Sequence, residues 1–240
     1  MKENHLTEGN LIKALLYFAV PFLIANILQS LYGAVDLFVV GRYCGYESVA
    51  AVSTGTQVTQ IVTSLITGLT LGSTILVGEG MGSKRYDLVK QIIGTTLTIF
   101  VLVAIILSVV MLVFERQILL LLHTPEESFN LTMQYVSVCL AGTVFICGYN
   151  AISAILRGYG DSTSPMAFVA ISCVLNIALD FLLVKYGRMG VVGTALATVV
   201  SQAASMVIAI IYLKKKKFIF DFSFSSFLPS WGIVKRLSKV

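Results

Sequence analysis

Two aspartates, Asp36 and Asp180, lie within long apolar runs, and Asn176 stands four residues before the second. A carboxylate near the centre of a membrane helix costs about 2.5 to 3.5 kcal/mol on insertion scales, so each needs a partner, water or a task. The spacing puts Asn176 and Asp180 on one helical face, and puts Gln29, seven residues before Asp36, on that aspartate's face. Asp36 precedes Arg42 by six residues, Asp180 precedes Lys185 by five, Thr198 follows Arg188 by ten and Tyr135 follows Glu127 by eight. At about 1.5 Å per residue these positions share a layer roughly 8 to 15 Å below one membrane surface. Carboxylates and neutral oxygens converging there can hold a sodium ion or share a proton. The plainer roles are interhelical hydrogen bonding for Asn176, Thr198, Tyr135 and Gln29, and snorkelling helix ends for the aspartates.

The elements that position these groups follow from composition. The chain has 240 residues, of which 57% are hydrophobic and only 12% charged, and its mean hydropathy of +0.89 lies outside the soluble globular range. A bilayer core of about 30 Å takes about 20 apolar residues in a helix. Six runs meet that length, at 13–40, 49–79, 90–114, 131–156, 165–186 and 190–213. The expected fold is all-α with six transmembrane helices. The net charge of +5 comes from basic residues at the joints between runs, without interleaved stacking aromatics, so nucleic acid is excluded as a partner. The cysteines Cys44, Cys139, Cys147 and Cys173 have neither CxxC spacing nor a histidine cluster and read as packing residues. The first run continues to about Val40 without a small-residue cleavage site, so it is expected to remain as a span.

Lysine and arginine distinguish the two faces. With the N-terminus inside, Lys2, Lys13, Lys84, Arg85, Lys90, Arg157, Lys214 to Lys217, Lys235, Arg236 and Lys239 are cytoplasmic, against Arg42, Arg116, Lys185 and Arg188 outside. That asymmetry predicts both termini in the cytoplasm of a multi-pass protein of the plasma membrane. Pro21 inside the first run removes a backbone donor and reads either as a movable hinge or as a static kink. The spacings Gly68 to Gly72 and Gly78 to Gly82 predict close helix packing. Near the end, Ile233-Val-Lys-Arg-Leu echoes Leu11-Ile-Lys-Ala-Leu, as though a second bundle began there. No HExxH, aspartate-rich diphosphate or GxSxG motif is present, and the two histidines, His5 and His123, sit in polar segments, so an enzyme is not expected.

Several stretches together resemble the multidrug and toxic compound extrusion (MATE) transporters. They are Pro21 with Asp36 fifteen residues on, Leu156-Arg-Gly-Tyr-Gly-Asp-Ser-Thr-Ser-Pro165, Asn176-xxx-Asp180, and Gly190-xx-Gly193-Thr-Ala-Leu-Ala-Thr198. The resemblance implies one six-helix lobe of a twelve-helix, two-lobe transporter, with residues 1–213 as the N-terminal lobe. Residues 214–240 would then be a cytoplasmic linker and the start of a second lobe that is absent, and a half-transporter should not transport by itself. It also implies export of small organic cations in exchange for Na+ or H+ by alternating access, with no cofactor. Asp36, Asn176, Asp180 and Thr198 match the family's first-lobe cation site, where Na+ could sit. Gln29 and Tyr135 fall close by, and Pro21 matches the proline whose bend is linked to protonation or substrate release. The lipid bilayer and the C-terminal lobe are the implied partners. Glu79 departs from the pattern, standing where a neutral residue is expected. The alternative is a lipid-linked saccharide flippase of the same superfamily, which the acidic character of the buried charges disfavours.

Overall fold

The computed structural model describes residues 11–215 and 227–237. Lys2, Lys216, Lys217, Lys239 and much of the expected linker lie outside the described residues. Within a bilayer every backbone N–H and C=O must be satisfied inside the segment, and the apolar runs meet that demand as helices. These are α1 (Leu11–Tyr43), α2 (Tyr46–Gly82), α3 (Tyr86–Val113), α4 (Glu115–Leu121), α5 (Glu126–Ala141), α6 (Thr143–Gly158), α7 (Thr163–Asp180), α8 (Gly190–Lys215) and α9 (Trp231–Leu237). A π-helical segment, Phe181–Tyr186, continues α7. Five helices, with α7 taken together with its π-helical extension, are long and apolar enough to cross a membrane, and α5 with α6 makes a sixth, broken span bent by 47°.

The fourth run was expected as one helix, and its break at Gly142 has a local cause. There α8 packs so closely that a Cβ on Gly142 would lie 2.7 Å from Val199 Cγ1. The chain bends to admit that contact, and the Gly142 N–H donates to the carbonyls of Val138 and Cys139. α1, by contrast, runs through Pro21 as one helix.

α2 packs against α3, α5 and α6, while α1 packs chiefly against α7, and α8 is held between α7 and the α5–α6 span. The main core joins Val58, Val62 and Ile66 of α2 to Phe100, Val136, Leu140 and Ala195. α1 is unevenly covered. Its first half exposes Ile12, Leu15, Leu16, Tyr17, Leu23 and Ile27, whereas Asp36, Val39 and Val40 are buried. The candidate layer therefore lies where α1 is clamped.

Of the glycines whose spacing suggested close packing, Gly72 is buried and Gly78 lies against α6, whereas Gly68 and Gly82 pack on nothing. A Cβ on Gly68 or Gly82 would meet nothing within 4 Å, and one on Gly78 would make ordinary contact with the Gly158 carbonyl at 3.6 Å. Gly68 and Gly82 lie on exposed faces. Tight positions besides Gly142 include Gly55, against the Tyr135 ring, Gly80, against Val89, Gly148, against Met206, and Gly158, against Val77 and the Thr74 carbonyl.

The unexpected Glu79 has a partner. Residues 227–237 fold back on α2 and α3, burying Ile233 and Leu237 among Leu76, Val77, Val89, Ile92 and Ile93. Arg236 reaches Glu79 at 2.8 Å, and Thr98 Oγ1 donates to the Phe227 carbonyl at 2.6 Å. The echo of the first helix is thus a short helix docked on this bundle.

On the opposite face, Glu115 opens α4 and is only 7% exposed. The Ser137 hydroxyl donates to both of its carboxylate oxygens at 2.9 Å. Burial pushes this carboxyl above its ordinary range and the Ser137 bond partly offsets the effect. The folded chain thus binds the Glu115 proton more readily than the unfolded chain does. This contribution to stability is complete below the unfolded pKa of about 4.3 and is lost as pH rises through the higher folded value. A Glu115→Gln variant should therefore melt above the wild type at pH 8 and converge with it near pH 4, measured by thermal unfolding in detergent. Parallel curves across pH would contradict the assignment.

Candidate functional site

The site is built from α1, α7 and α8, three helices whose polar residues recur at one helical turn. On α7 the row is Ser172, Asn176, Asp180; on α8 it is Thr194, Thr198, Gln202; on α1 it is Gln29, Tyr32 or Gly33, and Asp36. Each row faces the others. Thr198 Oγ1 donates to Asp36 Oδ2 at 3.3 Å, and Asn176 Nδ2 donates to Thr198 Oγ1 at 3.4 Å. The Asp180 carboxyl adjoins that of Asp36. One hydrogen-bonded chain thus ties α1, α8 and α7 at the level of Asp36, and Gln202 Nε2 donates to the Tyr32 hydroxyl at 3.3 Å to tie α8 to α1 again.

Burial here is nearly complete, with Asp36 4%, Asn176 1% and Asp180 0% exposed. Even so, Asp36 Oδ1, both oxygens of Asp180, Asn176 Oδ1 and Thr194 Oγ1 meet no hydrogen-bond partner among the described residues. Buried polar atoms are nearly always satisfied, and a buried charge without a partner is costlier still. The donor-poor set of oxygens is the chemistry of a site for a hard cation or a shared proton. Among the described residues no group of three or more His, Cys, Asp or Glu gathers as a transition-metal site. Asp180 is also the last residue before the π-helical segment, an irregularity frequent at functional positions.

A cleft of about 760 Å3 opens beside this chain and runs between α1, α2 and the α5–α6 span. Asp36, Gln29, Thr198 and Tyr135 line it, whereas Asn176 and Asp180 stand behind the wall. The structure therefore gathers Asp36, Asn176, Asp180 and Thr198 into one cluster. Tyr135 and Gln29 belong to the adjoining cleft, with the Tyr135 ring seated on Gly55. Pro21 lies one turn beyond the cleft-lining Phe18, in the exposed half of α1.

Three further features were not singled out from the sequence. Tyr32 and Gln202 line the cleft, each four residues from a chosen position, so one more helical turn would have found them. Arg157, counted from the sequence among the basic residues at the joints between runs, ends α6 and lines the cleft, with its guanidinium carbon 5.3 Å from the centre of the Phe22 ring. The third is a row of six threonines on α2, Thr56, Thr59, Thr63, Thr67, Thr70 and Thr74, all on the cleft wall. Their three- and four-residue steps are the helical repeat itself.

Comparison with known proteins now bears on these observations. A family model described as MatE matches residues 21–182. The probable multidrug resistance protein YoeA of Bacillus subtilis (strain 168) is 36% identical over 204 residues, covering 83% of this chain and 44% of YoeA. A crystal structure of MATE in the bent conformation superposes with a TM-score of 0.93 at 27% identity, covering 100% of this chain and 54% of that one. An outward-facing conformation of a multidrug resistance MATE family transporter of the MOP superfamily gives 0.92 at 27% identity, with 100% and 53% covered. The chain spans about half the length of the relatives it matches, consistent with one lobe.

Proposed function

The chain belongs to the MatE family, and on that premise we propose that it forms the lobe of a secondary exporter that carries the coupling-ion site, moving organic cations out in exchange for Na+ or H+. The observation that carries this reading is the pair of adjoining, buried carboxyls of Asp36 and Asp180, three of whose four oxygens meet no hydrogen-bond partner among the described residues. Asp36, Asn176, Asp180 and Thr198 are the proposed ligands of the ion, with Gln29 and Tyr135 as flanking cleft groups.

The mechanism follows from charge. With no ion, two like charges face each other in a low dielectric, and the contact between α1 and α7 is strained. A sodium ion or proton relieves that repulsion and draws α1 onto α7 and α8. A cationic cargo in the cleft competes for the same negative field, because Asp36 lies in the wall shared by the two. Ion and cargo thereby favour different arrangements of α1, which is the requirement for exchange. Pro21, in the half of α1 that packs least, is the proposed place where those arrangements diverge. The cleft would face a matching second lobe, since the relatives are about twice as long. The cationic joints at Lys84, Arg85, Lys90, Lys214 and Lys215 support a cytoplasmic placement of the end of the bundle where they lie, in the plasma membrane.

The test is efflux of a fluorescent cationic dye from cells expressing the full-length protein, with sodium and pH gradients imposed separately. Efflux that collapses with one gradient names the coupling ion. No efflux under either gradient, with the protein present in the membrane, would overturn the reading.

A further inference from the structure

Five of the six threonines on the α2 wall spend their hydroxyl protons within their own helix, and Thr74 divides its proton between the Thr70 carbonyl and the Ala154 carbonyl of α6. Thr56 donates to the Val52 carbonyl at 2.7 Å and Thr59 to that of Thr56 at 2.9 Å. Thr63 donates to Thr59 at 2.9 Å, Thr67 to Thr63 at 2.8 Å, Thr70 to Ile66 at 2.8 Å and Thr74 to Thr70 at 2.8 Å. A hydroxyl that donates backward along its helix keeps its oxygen lone pairs for whatever lies beside it. The row therefore offers the cleft acceptors and no donors, along roughly 27 Å of helix at about 1.5 Å per residue.

The facing wall repeats the pattern in part, through Ser30, while the amides of Asn26 and Asn150 each keep a second N–H. Asn26 Nδ2 donates to the Phe22 carbonyl at 3.0 Å, Ser30 Oγ to that of Asn26 at 3.1 Å, and Asn150 Nδ2 to that of Ile146 at 2.8 Å. Asp36, nine-tenths buried in the wall of the same cleft, adds the negative field of its carboxylate. Side-chain donors also line the cleft, among them Gln29, Gln60, Arg157, the Tyr32 and Tyr135 hydroxyls and the second amide N–H of Asn26, and of these donors the Arg157 guanidinium, beside Phe22, is the charged one.

We infer that the cleft selects cations bearing N–H donors, such as primary amines, guanidines and amidines, over quaternary ammonium ions of the same size. The inference rests on the exporter reading and names the class of cargo that the same cleft takes. An N–H cation gains both the field of Asp36 and directed bonds to the threonine oxygens, whereas a quaternary cation gains the field alone.

The experiment measures binding of a matched pair of radiolabelled probes, a naphthylmethylguanidinium and a naphthylmethyl-trimethylammonium, to the purified full-length protein by equilibrium dialysis. The variants are T59V/T63V/T67V, which removes the acceptors at nearly constant volume, and T59S/T63S/T67S, which keeps them. The valine variant should bind the guanidinium about three- to ten-fold more weakly, leave the quaternary probe unchanged, and be rescued by serine. Equal loss for both probes, or loss for neither, would overturn the proposal while leaving the exporter reading standing. Failure of the wild type to bind either cation would overturn both. A valine variant that does not fold leaves the wild-type ratio as the arbiter: quaternary binding equal to or tighter than guanidinium binding also overturns the proposal.

Discussion

An Asp36→Asn variant is expected to lose ion-driven export of cationic cargo by roughly 100-fold or more, because removing one charge from a buried, mutually dependent set costs several kcal/mol. The substitution is isosteric and keeps an acceptor for Thr198 Oγ1, so the tie from α8 to α1 survives while the charge that ion and cargo share is gone. Asp180→Asn should show the same loss for coupling. It should affect cargo binding less, because Asp180 stands behind the cleft wall and Asp36 lines it. Efflux of a cationic dye by equal amounts of membrane-inserted protein measures the first effect, and equilibrium binding of the same dye separates the two. Wild-type efflux in Asp36→Asn would remove that residue from the mechanism.

A Gly158→Ala variant is expected to be strongly destabilising for a change of a single methyl group. Its Cβ would lie 2.6 Å from Val77 Cβ and 2.8 Å from the Thr74 carbonyl oxygen, and the second of these is backbone and cannot rotate away. α2 and α6 would have to separate at the crossing where Thr74 Oγ1 also reaches the Ala154 carbonyl at 3.2 Å. Overpacking of this kind costs about 1 to 3 kcal/mol. Thermal unfolding in detergent should show a midpoint several degrees below that of the wild type, and Gly68→Ala, where a Cβ meets nothing within 4 Å, serves as the control. Equal midpoints would show that the α2–α6 crossing has room to spare.

Much of this was legible in the sequence because the bilayer makes polar groups expensive. Asp36 and Asp180 stood out for that reason, and helical spacing then drew in Asn176, Thr198 and Gln29. Six apolar runs became six spans, their ends shifted by a few residues. What escaped notice depended on groups distant in sequence or on residues that membrane helices tolerate. The bend at Gly142 is caused by Val199, in another helix. Glu79 departed from expectation until Arg236, 157 residues away, supplied its partner. Arg157 fell just past the fourth apolar run and counted as a cytoplasmic charge, yet α6 runs to Gly158 and places Arg157 in the cleft lining. The threonine row left no hydropathy signature, since a hydroxyl bonded to its own helix costs little in lipid.

The measurement that bears most directly on the central claim uses the purified full-length protein in sealed proteoliposomes, with a sodium or proton gradient imposed and no gradient of cargo. On this account one of the two ion gradients drives a labelled organic cation to a concentration above equilibrium, and Asp36→Asn abolishes that accumulation without preventing insertion. Cargo that merely equilibrates under both gradients in the wild type, or accumulates equally well in Asp36→Asn, would contradict the account.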